Sequence, residues 1–258
     1  MNVLSKILYL SFILLFILCP LSVAQPNVPP IPVPKISVGV TPATKPGDLA
    51  VTLEILLLLT VLSLLPSILV MLTSYTRIIV VFAFLREGLG TRQTPPNQVL
   101  IGLALFLTLF IMQPVWTNIY NDAVKPYFDN KISYQQAYDN ALKPIRSFMF
   151  KEVESHHNED DITLFLRSAH INKVESRDDI PTSVIIPAFI VSELEIAFKI
   201  GILLFIPFIV IDMVVASILL SMGMIMIPPI MISLPFKVLL FVLVDGWNLL
   251  IGGILKGF

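Results

Sequence analysis

Six ionisable side chains stand in a stretch that is otherwise apolar: Glu193, Glu195, Lys199, Asp212, Lys237 and Asp245, all within residues 187–255. The chemistry open to them is ion pairing, proton relay or contact with a partner. A charge facing lipid at a bilayer centre costs about 2.5–3.5 kcal/mol, so six left to lipid would cost on the order of 18 kcal/mol. They must be satisfied by one another, inside an assembly, or along a wet path. Glu195 and Lys199 stand four residues apart with the acid first, the favourable order for a helical pair. Asp212 lies 13 residues before Ile225 and Lys237 lies 12 residues after it. If two helices fold back about Ile225, these charges meet at the same depth. Two readings stay open: pairs that neutralise one another in a packed interior, or polar contacts with neighbouring subunits.

The turn between those charges is the segment MGMIMIPP, residues 222–229. Its glycine and its proline pair end the helical run, and Met222, Met224 and Met226 crowd the tip around Ile225. Methionine has three rotatable bonds and little shape preference, so such residues either fill gaps in a core or form a deformable apolar seal.

Nothing else in the chain asks for catalysis or a cofactor. No G-x-S-x-G, H-E-x-x-H, Walker A or G-x-G-x-x-G pattern is present. His156, His157 and His170 have no carboxylate or cysteine at ligand spacing and read as solvated loop residues. Cys19 is the single cysteine and precludes a disulfide within one chain. A net charge of -1 without a basic patch gives no footprint for nucleic acid.

The elements that must position these residues are apolar helices. With 56% hydrophobic and 14% charged residues and a mean hydropathy of +0.87, the chain is a helical membrane-type protein. Of its 35 acidic and basic residues, 19 fall between Asn118 and Thr182, so a polar module interrupts the apolar sequence. The expected fold is all-α: long kinked helical hairpins with a helical periplasmic insertion.

In order, residues 1–24 read as a cleavable signal peptide, with Lys6, an apolar core and small residues at Ser22-Val23-Ala24; an uncleaved first membrane helix is the alternative. Residues 25–48 carry seven prolines and read as a flexible tether. Residues 49–117 form a first apolar hairpin whose basic loop, 86–97, the positive-inside rule puts in the cytoplasm. Residues 118–182 are then periplasmic. Within them Ser133 and Gln136 form a capping-box signature, Pro144 should bend the helix that follows, and Asp160 or Asp161 would cap a second short helix. Residues 183–258 form the second apolar hairpin.

The runs MLTSYTRII (71–79), LGTRQTPPNQVLIGLALFL (89–107), PAFIVSEL (187–194) and VLVDGW (242–247) closely resemble the FliP family of flagellar biosynthetic proteins, in the right order over residues 49–255. The resemblance implies a pore-forming subunit of the type III export gate at the inner membrane, five copies joined with FliQ and FliR at the flagellar basal body. FlhA and FlhB would be further partners and unfolded flagellar proteins the cargo. It maps a resting pore gasket onto Met224, Ile225 and Met226, with Met222 just before; the family's usual methionine is Ile225 here, a stiffer side chain. From their equal depth Asp212 and Lys237 are expected as a buried charge pair, and Arg77, Glu193, Glu195, Lys199 and Asp245 as further polar contacts of the assembly. The resemblance also implies that much of the apolar sequence packs on other subunits above the bilayer. The homologous subunit of a virulence injectisome is the nearest alternative. A proton-coupled transporter using Glu193, Asp212 and Lys237 as a relay would require an internal repeat, and none is found.

Overall fold

The computed structural model describes residues 46–258 apart from 92, 172 and 225. The expected signal peptide, the tether up to residue 45 and Ile225 therefore lie outside the described residues. Every regular element among the described residues is helical. Helix α1 spans Pro46–Met71, α2 Tyr75–Leu89, α3 Asn97–Ile111 and α4 Gln113–Ile119. A π-turn at Tyr120–Val124 leads into α5, Lys125–Phe128. Then come α6 (Tyr134–Ser155), α7 (Glu159–Ser168), a 3-10 turn at Arg177–Asp179, α8 (Thr182–Ser221), α9 (Pro229–Leu243) and α10 (Gly246–Lys256).

The ends of these helices follow from local chemistry. Ser133 Oγ accepts the Gln136 N–H at 3.3 Å while Gln136 Oε1 accepts the Ser133 N–H at 3.0 Å, a reciprocal capping box that starts α6. That helix runs on through Pro144. Helix α7 starts after Asn158, whose side chain makes no capping bond, rather than after Asp160 or Asp161; those acids sit in its first turn, where they complement the helix dipole. Gly90, at φ +74°, closes α2 in the left-handed region that glycine adopts without strain.

Two expected spans are divided. The second arm of the hairpin expected over residues 49–117 breaks at Met112, and α3 meets the α4–α5 rod at 55°. The run after the methionine tip breaks at Asp245, itself left-handed at φ +51°, and α9 meets α10 at 63°. Asp tolerates this conformation better than most residues. Gly246 beside it leaves room for the Phe241 ring, which would stand 2.3 Å from a Cβ there.

Residues 53–258 pack as one unit around two apolar cores. The first joins Met112 and Val115 to Phe148, Met149 and Val153 of α6, Ile162 of α7, and Val184, Ile185, Ala188 and Phe189 of α8. The second joins Ile78, Val81, Phe82, Leu85 and Leu89 of α2 to Leu100 and Ala104, to Ala197 and Phe208, and to Leu250 and Ile254 of α10. Helix α8 serves both. Its 40 residues give it a length of about 60 Å, twice the roughly 30 Å of a hydrocarbon core.

Candidate functional site

Close approach at two glycines lets α2 lie against α8. A Cβ at Gly201 would meet the Phe84 ring at 2.5 Å, and one at Gly88 would meet Phe208 at 2.7 Å. That contact brings Arg77 of α2 to Glu193 of α8. The guanidinium forks onto the carboxylate, Nε to Oε2 at 2.9 Å and Nη2 to Oε1 at 2.5 Å, with Arg77 1% and Glu193 0% exposed. Nη2 also donates to Glu152 Oε2 of α6 at 2.9 Å, and Nη1 donates to the Gly257 carbonyl at 2.8 Å. The Phe258 ring lies 3.9 Å over the guanidinium. A single cation thus ties α2, α6, α8 and the segment after α10 together, and every one of these contacts lies within one chain.

Around Glu152 the balance is less complete. Its Oε1 is buried without a hydrogen-bond partner, with Lys151 Nζ at 3.7 Å. His156 Nε2 lies 3.8 Å from Glu152 Oε2 and 3.2 Å from the Gly257 oxygen. Burial pushes the Glu152 carboxyl above its ordinary value, against the pull of Arg77. Burial, followed by the Arg77 charge, lowers His156 below its ordinary value.

A second polar cluster lies nearer the methionine tip. Lys237 Nζ, almost wholly buried, donates to Asp212 Oδ2 at 2.6 Å and to the Gly88 carbonyl at 3.1 Å. The buried Ser233 hydroxyl donates to Asp212 Oδ1 at 2.5 Å. Three helices, α2, α8 and α9, are joined there. Glu195 and Lys199 pair at 2.8 Å on an exposed face of α8. Asp245 is exposed and accepts from Asn248 Nδ2 at 3.1 Å.

The tip itself is open. Met226 is 94% exposed, Met222 62% and Met224 41%, and Gly223 turns the chain at φ +75°. The neighbouring stretch of α8 is also apolar and exposed, including Ile206, Val210, Met213 and Val214. An open apolar groove runs between α8 and α9, from Val210 to Leu219 on one side and from Ile232 to Phe236 on the other.

Sequence spacing could not reveal Glu152, Ser233, Gly88 or Phe258 as parts of these clusters. One signal existed for Glu152. It continues the apolar stripe of Ile145, Phe148 and Met149, where a carboxylate facing solvent has no place.

The buried charges, the helices with exposed apolar faces and, among the described residues, a 40-residue helix long and apolar enough to cross a membrane define a helical protein of the membrane class. The model of the FliP family matches residues 58–254, and the chain belongs to that family. It is 52% identical to the flagellar biosynthetic protein FliP of Bacillus subtilis over 221 residues, 86% of this chain and 98% of that protein. The FliP of Treponema pallidum is 51% identical over 82% of this chain and 77% of its own length, and that of Borreliella burgdorferi 46% over 82% and 83%.

Proposed function

We propose that the chain is a pore-forming subunit of the flagellar type III protein export gate, acting as a multi-copy channel in the inner membrane with FliQ and FliR. Unfolded flagellar proteins are its cargo, and FlhA, FlhB and the basal body are its further surroundings. The family match over residues 58–254 supports the flagellar setting, and the relatives' names favour it over an injectisome. The observation that carries the channel reading is the exposed methionine tip, set at the turn between two helices whose charges are already paired. Because those pairs close within one chain, charge balance alone does not demand neighbours. The argument for neighbours is the apolar surface, on a helix about twice as long as the hydrocarbon core of a bilayer is thick.

In this reading Met222, Met224 and Met226 of about five copies, with Ile225 among them, line the narrowest ring. A pore wide enough for an unfolded chain leaks ions unless a plastic apolar plug closes it at rest, and thioethers close by dewetting and yield to varied side chains. Residues 118–182 face the periplasm and residues 86–97 the cytoplasm, after removal of residues 1–24. The Asp212 and Lys237 pair keeps the two arms behind the tip in register.

The test is a Met224→Ala, Met226→Ala double variant in an otherwise functional strain. Cells carrying it should leak small ions while export continues. Unchanged membrane conductance would remove the gasket role, and a purified protein that never exceeds monomer mass would remove the channel.

A further inference from the structure

The Arg77 cluster contains one more carboxylate than its cation neutralises. Glu193 takes both branches of the guanidinium fork, while Glu152 receives a single bond on Oε2 and leaves Oε1 buried without a hydrogen bond, with Lys151 Nζ 3.7 Å away. Both carboxylates are buried to 1% exposure or less. A buried carboxylate that keeps its charge without full pairing costs several kcal/mol, and the ordinary escape is to bind a proton.

The groups that face Glu152 are Arg77 from α2, Glu193 from α8, Lys151 on its own helix and His156 just after that helix ends. The backbone oxygens of residues 257 and 258 are held by these same groups, Gly257 by Arg77 and Phe258 by Lys151. Lys151 is 62% exposed, so its ammonium is largely hydrated and screens Glu152 weakly. Lys151 and His156 are the two titratable groups that touch both water and Glu152, and of these the 27% exposed His156 is the one whose ordinary value lies near neutrality, where a proton can be both taken up and released. Lys199 and His157 add positive charge near His156 and disfavour its imidazolium.

We infer that the cluster is a proton-binding site: Glu152 carries one exchangeable proton in the folded protein, and His156 is its route to water. With that proton the buried set is neutral, Arg77 balancing Glu193. Loss of the proton leaves a net negative charge beside the Gly257 carbonyl, so Arg77 is drawn toward Glu152 and its hold on residues 257–258 weakens. The site is independent of the export reading, because it depends only on groups inside one chain.

Infrared spectroscopy of the detergent-purified full chain tests the site directly. At about pH 7 the ordinary acidic side chains are ionised, so a carboxylic-acid C=O band there reports a buried protonated group. The band should be present in the wild type, lost in Glu152→Gln, and kept in Asp161→Asn. In His156→Gln it should persist but exchange more slowly with deuterated solvent. A wild type without the band overturns the inference, whatever the variants do. A band kept by Glu152→Gln also overturns it. Unchanged exchange in His156→Gln overturns the route assigned to His156.

Discussion

Lys237 of α9 donates to the Gly88 carbonyl, 3.1 Å away in the last turn of α2. A cation there meets the negative end of the helix dipole as well as an orphan carbonyl. The same ammonium is held by Asp212, whose side chain is 36% exposed while that of Lys237 is 3% exposed. This asymmetry orders the expected cost of breaking the pair. In Asp212→Ala the ammonium stays buried with one carbonyl for company, a loss of about 3–5 kcal/mol. In Lys237→Met the carboxylate keeps Ser233 and turns to water, and the loss is about 1–2 kcal/mol. Thermal unfolding of the purified variants checks the order, and the reverse order would contradict it.

Arg77 should tolerate no replacement. Arg77→Ala leaves two buried carboxylates without their guanidinium and the Gly257 carbonyl with only His156 Nε2 beside it. Arg77→Lys restores the charge but not the planar fork that reaches Glu193 and Glu152 together. Both variants should fall well below wild-type levels in membrane fractions, with Lys rescuing little, and immunoblotting measures this.

Two glycines on apolar helices should behave oppositely. A Cβ at Gly201 enters the Phe84 ring, whereas one at Gly102 meets nothing within 4 Å. Gly201→Ala should cost about 1–3 kcal/mol through displaced packing of α2 on α8. Gly102→Ala should be neutral or gain up to about 1 kcal/mol from helix propensity. Melting curves of the two variants, compared with the wild type, decide the matter.

Local spacing made much of this architecture legible. The capping box at Ser133, the Glu195 and Lys199 pair and the equal depth of Asp212 and Lys237 each need only a helical repeat to be read. Other features join residues too distant in sequence for any repeat to link. Arg77 lies 116 residues from Glu193 and 75 from Glu152, so their meeting depends on how α2, α6 and α8 pack. The breaks at Met112 and Asp245 were hidden for another reason. Apolar sequence continues on both sides of each break, and the local signals, Gln113-Pro114 at the first and Asp245-Gly246 at the second, are as compatible with a kink inside one span as with its division. The charge count pointed to an assembly, yet most of those charges are answered inside the chain, which composition alone cannot distinguish.

The exposed tip residues should be dispensable for folding. Met222→Ala or Met226→Ala removes little buried surface and should change stability by no more than about 0.5 kcal/mol. A large loss of melting temperature in the monomeric protein would show that the tip packs as a core, and the gasket reading would lose its basis.

Stability near neutral pH should carry two opposed contributions from one cluster. His156 is lowered from its ordinary value of 6.5 by burial and by Arg77, so the unfolded chain binds its proton first. Its contribution is fully present above about pH 6.5 and is lost as pH falls below that. Glu152 is raised from 4.5 by burial, so there the folded chain binds the proton first. Its contribution is present at low pH and is lost as pH rises from 4.5 through the raised folded value. Glu152→Gln removes the second contribution and leaves the first, so the variant should lose stability more steeply than the wild type as pH falls below about 6.5. His156→Gln should flatten that same limb. Melting temperatures of the three proteins across this range measure both slopes, and parallel curves would mean that neither group titrates on unfolding.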